Sequence, residues 1–103
     1  MTYPIILTYG QFWHEKIDDE RHRQERLKDE GRFALTCADP VSNGARLAVL
    51  VEEVGEVARA VLEQGIDGEV AYDKHGKNIE KELVQVAAVC VAWLQGLEGS
   101  GKS

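Results

Sequence analysis

Apolar residues recur along this chain at helical spacing. Between residues 40 and 64, Leu47, Leu50, Val51, Val54, Val57, Ala58 and Val61 share one broad arc when successive residues are set about 100° apart. Glu52, Arg59 and Glu63 fall on the opposite side. Between 78 and 97 the pattern is denser: Leu83 to Leu94 is apolar nearly all round, as in a helix buried on several sides. A thin stripe of Trp13, Ile17 and Leu27 runs through the charged segment 9–30 and predicts a helix that covers a core without forming one. Strand-like alternation is confined to Pro4–Leu7, and neither an internal repeat nor a linker is evident. The spacing predicts one all-α domain over 1–103. Its core helices lie at about 40–64 and 78–97 and its covering helix at about 9–30, with a Gly- and Asp-rich loop at 65–77 and a solvated tail at 98–103.

Punctuation residues set the expected ends. Thr8 with Gln11 forms a capping-box pair, Leu7 and Phe12 a hydrophobic staple, and Gly31 a C′ residue. Asp39–Pro40 is the expected start of the second helix, Ser42 the alternative cap, and Gly44 weakens the first turn. Gly65 is the expected stop, with Ile66 reaching Val61, and Asn78 opens the third helix.

Against these faces, several acids stand in the wrong place. Glu53 projects between Leu50, Val57 and Ala60, inside the apolar arc, and Glu56 lies at its edge beside Val49 and Ala60. Glu82 projects between Val89 and Trp93, and Gln85 follows between Val89 and Ala92. A lone inward glutamate commonly sits at a helix edge with its carboxylate reaching water. A set of them needs another account, because an ionised carboxylate removed from water costs several kcal/mol unless it is paired, protonated or bound to a cation. Residues spaced i,i+3 share one helix face. Facing helices could therefore surround a hard divalent cation such as Mg²⁺ with oxygen ligands. A buried salt bridge is the weaker alternative, since Arg46 is the only basic residue of the second helix near that face.

Composition narrows the partners. The apolar fraction of 44% is ordinary for a globular protein, and a net charge of −6 without a basic stripe argues against nucleic-acid binding. The longest apolar stretch is too short for a membrane span, and residues 1–7 lack the basic and apolar regions of a signal peptide. Cys37 and Cys90 have no metal-type spacing, and a reduced Cys90 suits an apolar helix. The expected setting is cytoplasmic.

The run Leu47-Ala-Val-Leu-Val-Glu52-Glu53-Val-Gly-Glu56, followed by Glu82-Leu-Val-Gln85, resembles the MazG-like all-α nucleoside triphosphate pyrophosphohydrolases. Their hallmark is a Glu-Glu-x-x-Glu helix followed by a Glu-x-x-Asp helix. The resemblance covers about residues 46–97, and Gln85 departs from it where the family has Asp. It implies a helical bundle completed by oligomerisation as a homodimer or homotetramer. It also implies Mg²⁺-dependent (or Mn²⁺-dependent) attack of water on the α-phosphate of a nucleoside triphosphate, releasing pyrophosphate. On that reading Glu53, Glu56, Glu82 and Gln85 hold metal, and Glu52 is a candidate for orienting the water. Gln85 supplies a neutral oxygen, so the alternative is a degenerate oligomer that serves as a binding or regulatory module. Lys74, Lys77 and Lys81 could meet a triphosphate or be ordinary surface lysines, and Trp13 could stack on a base, whereas Trp93 suits the core better.

The end of the chain, Gly96 to Ser103, spells a P-loop letter for letter. A P-loop needs a strand before it and a helix after it, and here a helix precedes it, so the match is declined. His14, His22 and His75 lack zinc spacing and read as surface residues.

Overall fold

A computed structural model describes residues 3–64 and 79–99, with side chains from residue 10 onward within those ranges. Among the described residues the regular elements are α1 (Tyr3–Asp29), α2 (Asn43–Gln64) and α3 (Ile79–Gly99). No helix among the described residues is long and apolar enough to cross a membrane. Gly65, Ile66, Asn78 and the rest of 65–78, together with 100–103, lie outside the described residues, and with them the expected loop and its caps.

The helix ends differ from expectation where local capping signals meet other partners. Thr8 does not cap α1. The helix runs through Thr8 and Gln11 and already includes Pro4, so Pro4–Leu7 is helical; a first turn accepts proline because its N–H has no intrahelical partner there. At the other end Gly31 adopts φ +78°. The N–H groups of Gly31 and Arg32 return to the carbonyls of Lys28 and Leu27 at 2.9 and 2.8 Å, a Schellman closure.

α2 starts at Asn43 instead of Pro40, and Ser42 is its cap. Ser42 Oγ accepts the Ala45 N–H at 3.0 Å, while the Ser42 carbonyl accepts the Arg46 N–H at 3.1 Å. Asp39 is engaged elsewhere, accepting from the Thr36 N–H at 2.7 Å and from Lys28 Nζ at 2.9 Å. α3 continues through Glu98 and Gly99, two residues the sequence assigns to the tail.

α3 is the central helix: α1 and α2 each pack on it and not on each other. The α2–α3 seam follows Arg46, Leu50, Glu53, Val57 and Ala60 on one side and Glu82, Gln85, Val89, Ala92 and Gly96 on the other, alternating steps of three and four as in a coiled-coil contact. Arg46 meets Gly96 near one end and Glu53 meets Gln85 further along, so the two helices run antiparallel. Among the described residues the buried apolar ones are small or medium: Cys37, Ala60, Ala88, Val89 and Ala92.

The broad apolar arc of α2 exceeds what one neighbouring helix can cover. Leu47, Val51 and Val54, expected in the core, are half exposed or more. Among the described side chains of α1 the buried ones are Arg21 and Gln24. The Arg21 guanidinium donates to Gln95 on α3, to Gln24 and to Glu25 at 2.8–2.9 Å.

The connection between α1 and α2 is fixed by polar contacts. Thr36 Oγ1 donates to Glu25 at 2.9 Å. The buried Arg46 donates to the carbonyls of Cys37 and Asp39 at 2.9 Å each and to Asn43 Oδ1 at 3.0 Å. Trp93 Nε1 donates to the same Asn43 oxygen at 3.0 Å. Gly96 is required for this approach, because a Cβ there would overlap the Arg46 guanidinium and lie 2.6 Å from the Cys37 carbonyl oxygen.

Candidate functional site

The α2–α3 seam brings Glu53, Glu82 and Gln85 together. Glu82, in the first turn of α3, is only 6% exposed. With its amide nitrogen turned toward the acids, Gln85 donates to Glu82 Oε1 at 2.8 Å and to Glu53 Oε2 at 3.3 Å. With the amide turned the other way, its oxygen faces those same carboxylates, an all-oxygen array that a cation or a proton on one carboxyl stabilises. The hydrogen-bond network decides between amide orientations, so the contents of the site set which way Gln85 points. Two carboxylates and an amide oxygen on adjacent helices are donors of the type Mg²⁺ prefers, with water and phosphate completing the shell. Among the described residues, no group of three or more His, Cys, Asp and Glu side chains is placed to hold a metal by itself.

The acids influence one another. Burial pushes the Glu53 carboxyl above the ordinary carboxylate range, and the charges of Glu82, Glu52, Glu56 and Glu20 push it the same way. Glu56 is half-buried, with Oε1 4.0 Å from Arg59 Nη1. Glu52 is exposed on the rim beside Glu53.

A cavity of about 320 Å³ opens beside these residues. α3 supplies the floor through Gln85, Val89 and Ala92, α2 one wall through Val49, Glu52 and Glu53, and α1 the other through Arg23 and Gln24. The α1–α2 connection closes the far end with Phe33, Leu35 and Val41. One end is therefore acidic and the other apolar and aromatic. A second, larger cleft of about 730 Å³ lies between α1 and α3 and holds Trp13 and Lys81, so these candidates stand apart from the carboxylates. Phe12 meets Trp13 edge to face at 4.9 Å between centroids. Lys77 lies outside the described residues.

Arg23 lines both spaces. Its Nε and Nη2 donate to the two carboxylate oxygens of Glu20 at 2.9 and 3.0 Å. Neither residue was singled out by the sequence, where Glu20-x-x-Arg23 looks like a surface ion pair in a charged helix. Phe33 and Leu35 were missed because they lie in a segment without periodicity. The position of Phe33 just beyond the Gly31 cap was the available signal, since the Schellman closure turns the chain back there.

No protein-family model, curated protein or solved structure matches this chain.

Proposed function

We propose that this chain is a MazG-like nucleoside triphosphate pyrophosphohydrolase acting in nucleotide-pool sanitation in the cytoplasm. The observation that carries this reading is the convergence of Glu53, Glu82 and Gln85 beside a cavity that Glu53 and Gln85 line at one end and apolar residues line at the other. The apolar end, with Phe33, Leu35, Val41 and Val89, suits a base and sugar, and the acidic end suits a metal-bound triphosphate. Glu53, Glu82 and Gln85 are the residues to hold the metal, with Glu56 adjoining. Mg²⁺ there would neutralise phosphate charge and acidify a water molecule. Glu52, exposed on the rim, would orient that water and accept its proton as the oxygen attacks the α-phosphorus. The bond to the β-phosphate oxygen then breaks, leaving the monophosphate and pyrophosphate. The half-exposed Leu47, Val51 and Val54 of α2, with Leu83 and Leu94 of α3, support assembly as a homodimer or homotetramer.

One observation favours a second reading. The Gln85 amide can satisfy both carboxylates without any cation, as expected of a degenerate relative that keeps the fold as a binding or regulatory module. Incubating the purified protein with common and modified nucleoside triphosphates, with Mg²⁺ or Mn²⁺, and assaying pyrophosphate release separates the two. Release from at least one nucleotide supports the enzyme; none, under either metal, favours the module.

A further inference from the structure

We infer that Arg23 is a phosphate-binding residue of this cavity, held at its mouth by Glu20 until an anion arrives. The inference rests on the nucleotide reading given above. Among the described residues, Arg23 is the one basic side chain that lines the cavity. The other nearby guanidinium groups are engaged: Arg46 is buried against two carbonyls and Asn43, Arg21 against Gln95, Gln24 and Glu25. Arg59 lies on α2 beside Glu56 and Glu63.

The Glu20–Arg23 pair is lopsided. The Glu20 side chain is 13% exposed, whereas that of Arg23 is 41% exposed and stands at the boundary between the cavity and the larger cleft. Glu20 engages one edge of the guanidinium fork through Nε and Nη2. Its carboxylate thus fixes the direction of a long side chain but also sets a negative charge beside any phosphate that approaches it, so its two effects on phosphate binding oppose each other. The ionised form of Arg23 is favoured by the Glu20 hydrogen bond, against some desolvation, and further by the charges of Glu20 and Glu53.

Electrostatics gives this cation its role. Glu52 and Glu53 line the acidic end, the charges of Glu82, Glu56 and Glu20 act on Glu53 there, and a triphosphate adds more negative charge to it. A metal ion offsets part of that repulsion. A guanidinium beside it offsets more and matches phosphate geometry with paired donors, which a lysine ammonium does not.

The test compares two substitutions that break the same ion pair. Binding of the four α,β-methylene deoxynucleoside triphosphates with Mg²⁺ is measured by calorimetry for the parent, Arg23→Gln, Arg23→Lys and Glu20→Gln, alongside the matching nucleosides and with folding checked by circular dichroism. Arg23→Gln is expected to weaken triphosphate binding about tenfold or more, the range for a charged hydrogen bond, and to leave nucleoside binding unchanged. Arg23→Lys, which keeps the charge and loses the fork, should fall between Arg23→Gln and the parent. Glu20→Gln should leave triphosphate binding unchanged or tighten it. Equal weakening by Arg23→Gln and Glu20→Gln would mean that the pair is only structural, and would overturn the inference. Tight binding by Arg23→Gln would also overturn it while leaving the pyrophosphohydrolase reading in place. A folded parent that binds none of the analogues overturns both.

Discussion

Glu53 and Glu82 are held against one amide: in its donating orientation, the Gln85 nitrogen lies 3.3 Å from the first carboxylate and 2.8 Å from the second. The acids approach each other across the seam of two antiparallel helices, so their repulsion is part of the packing between α2 and α3. Whatever neutralises them also stabilises the fold.

That link gives a pH dependence. Glu53 has its carboxyl raised, by burial first and then by its acidic neighbours. The folded state therefore holds this proton more tightly than the unfolded chain, so Glu53 stabilises most below the ordinary carboxylate range, and the contribution is lost as pH rises through its raised value. Asp39 works in the opposite sense. The Thr36 N–H and then Lys28 hold it below the usual range, so its contribution is present above the ordinary value and lost as pH falls through the depressed one. Thermal melts across acidic to neutral pH should show Glu53→Gln flattening the loss toward neutrality and Asp39→Asn flattening the loss toward acid. Mg²⁺ should raise the parent's Tm at neutral pH and have little effect on Glu53→Gln. A parent melt indifferent to Mg²⁺ would remove the metal from the site.

Gln85→Asp should sharpen the response to metal. A unit charge at about 4 Å is worth roughly 4 kcal/mol at an effective dielectric near 20, before desolvation. A third of that is about tenfold in affinity. The same change removes the amide donors that satisfy Glu53 and Glu82, so the metal-free protein should lose stability. Calorimetric titration with Mg²⁺ and a melt without it test the pair of effects. If the variant neither binds Mg²⁺ more tightly nor melts lower without it, Gln85 has no part in managing these charges.

Gly96→Ala should destabilise the fold although alanine is the better helix former. The propensity gain is about 1 kcal/mol, but the added Cβ meets the Arg46 guanidinium and the Cys37 carbonyl. Forcing them apart costs about 1–3 kcal/mol by overpacking and disturbs a buried cation that backbone oxygens satisfy. Urea denaturation followed by tryptophan fluorescence in a Trp13→Phe background reports both, because the Trp93 indole shares Asn43 Oδ1 with Arg46. An unchanged midpoint would show that the loop can yield at no cost.

Val51→Glu places a charge on the exposed apolar strip of α2, where Val51 is 61% exposed in the single chain. Sedimentation equilibrium of the parent at micromolar concentration should give a dimer or larger, and the variant should dissociate toward monomer. A stable, folded parent monomer would refute the assembly.

The helices, the Gly31 stop and the inward setting of Glu53, Glu82 and Gln85 were legible because they depend on local spacing: a residue's place on a helix face follows from its number. What was not legible depended on distant partners. Asp39 and Ser42 are both good caps by type, and Lys28 of α1, together with Thr36 in the same loop, decided between them. Arg21 and Gln24 lie in a charged segment and Arg46 beside the apolar face, yet all three are buried: Gln95, Glu25, Gln24 and loop carbonyls accept from the two guanidinium groups, and Gln24 is satisfied by Arg21. Leu47, Val51 and Val54 read as core because periodicity reports an apolar arc without saying which part of it a neighbour covers.

The separation of α1 from α2 has a dynamic consequence. Both lean on α3, and the residues 30–42 that join them are the covalent path between the cavity's walls. Each wall can thus open by local unfolding with its own free energy, without first separating from the other. A molecule gripped by Arg23 on one wall and Glu53 on the other would couple the two openings. Amide exchange in α1 would then slow together with exchange in α2, even at residues the molecule never touches.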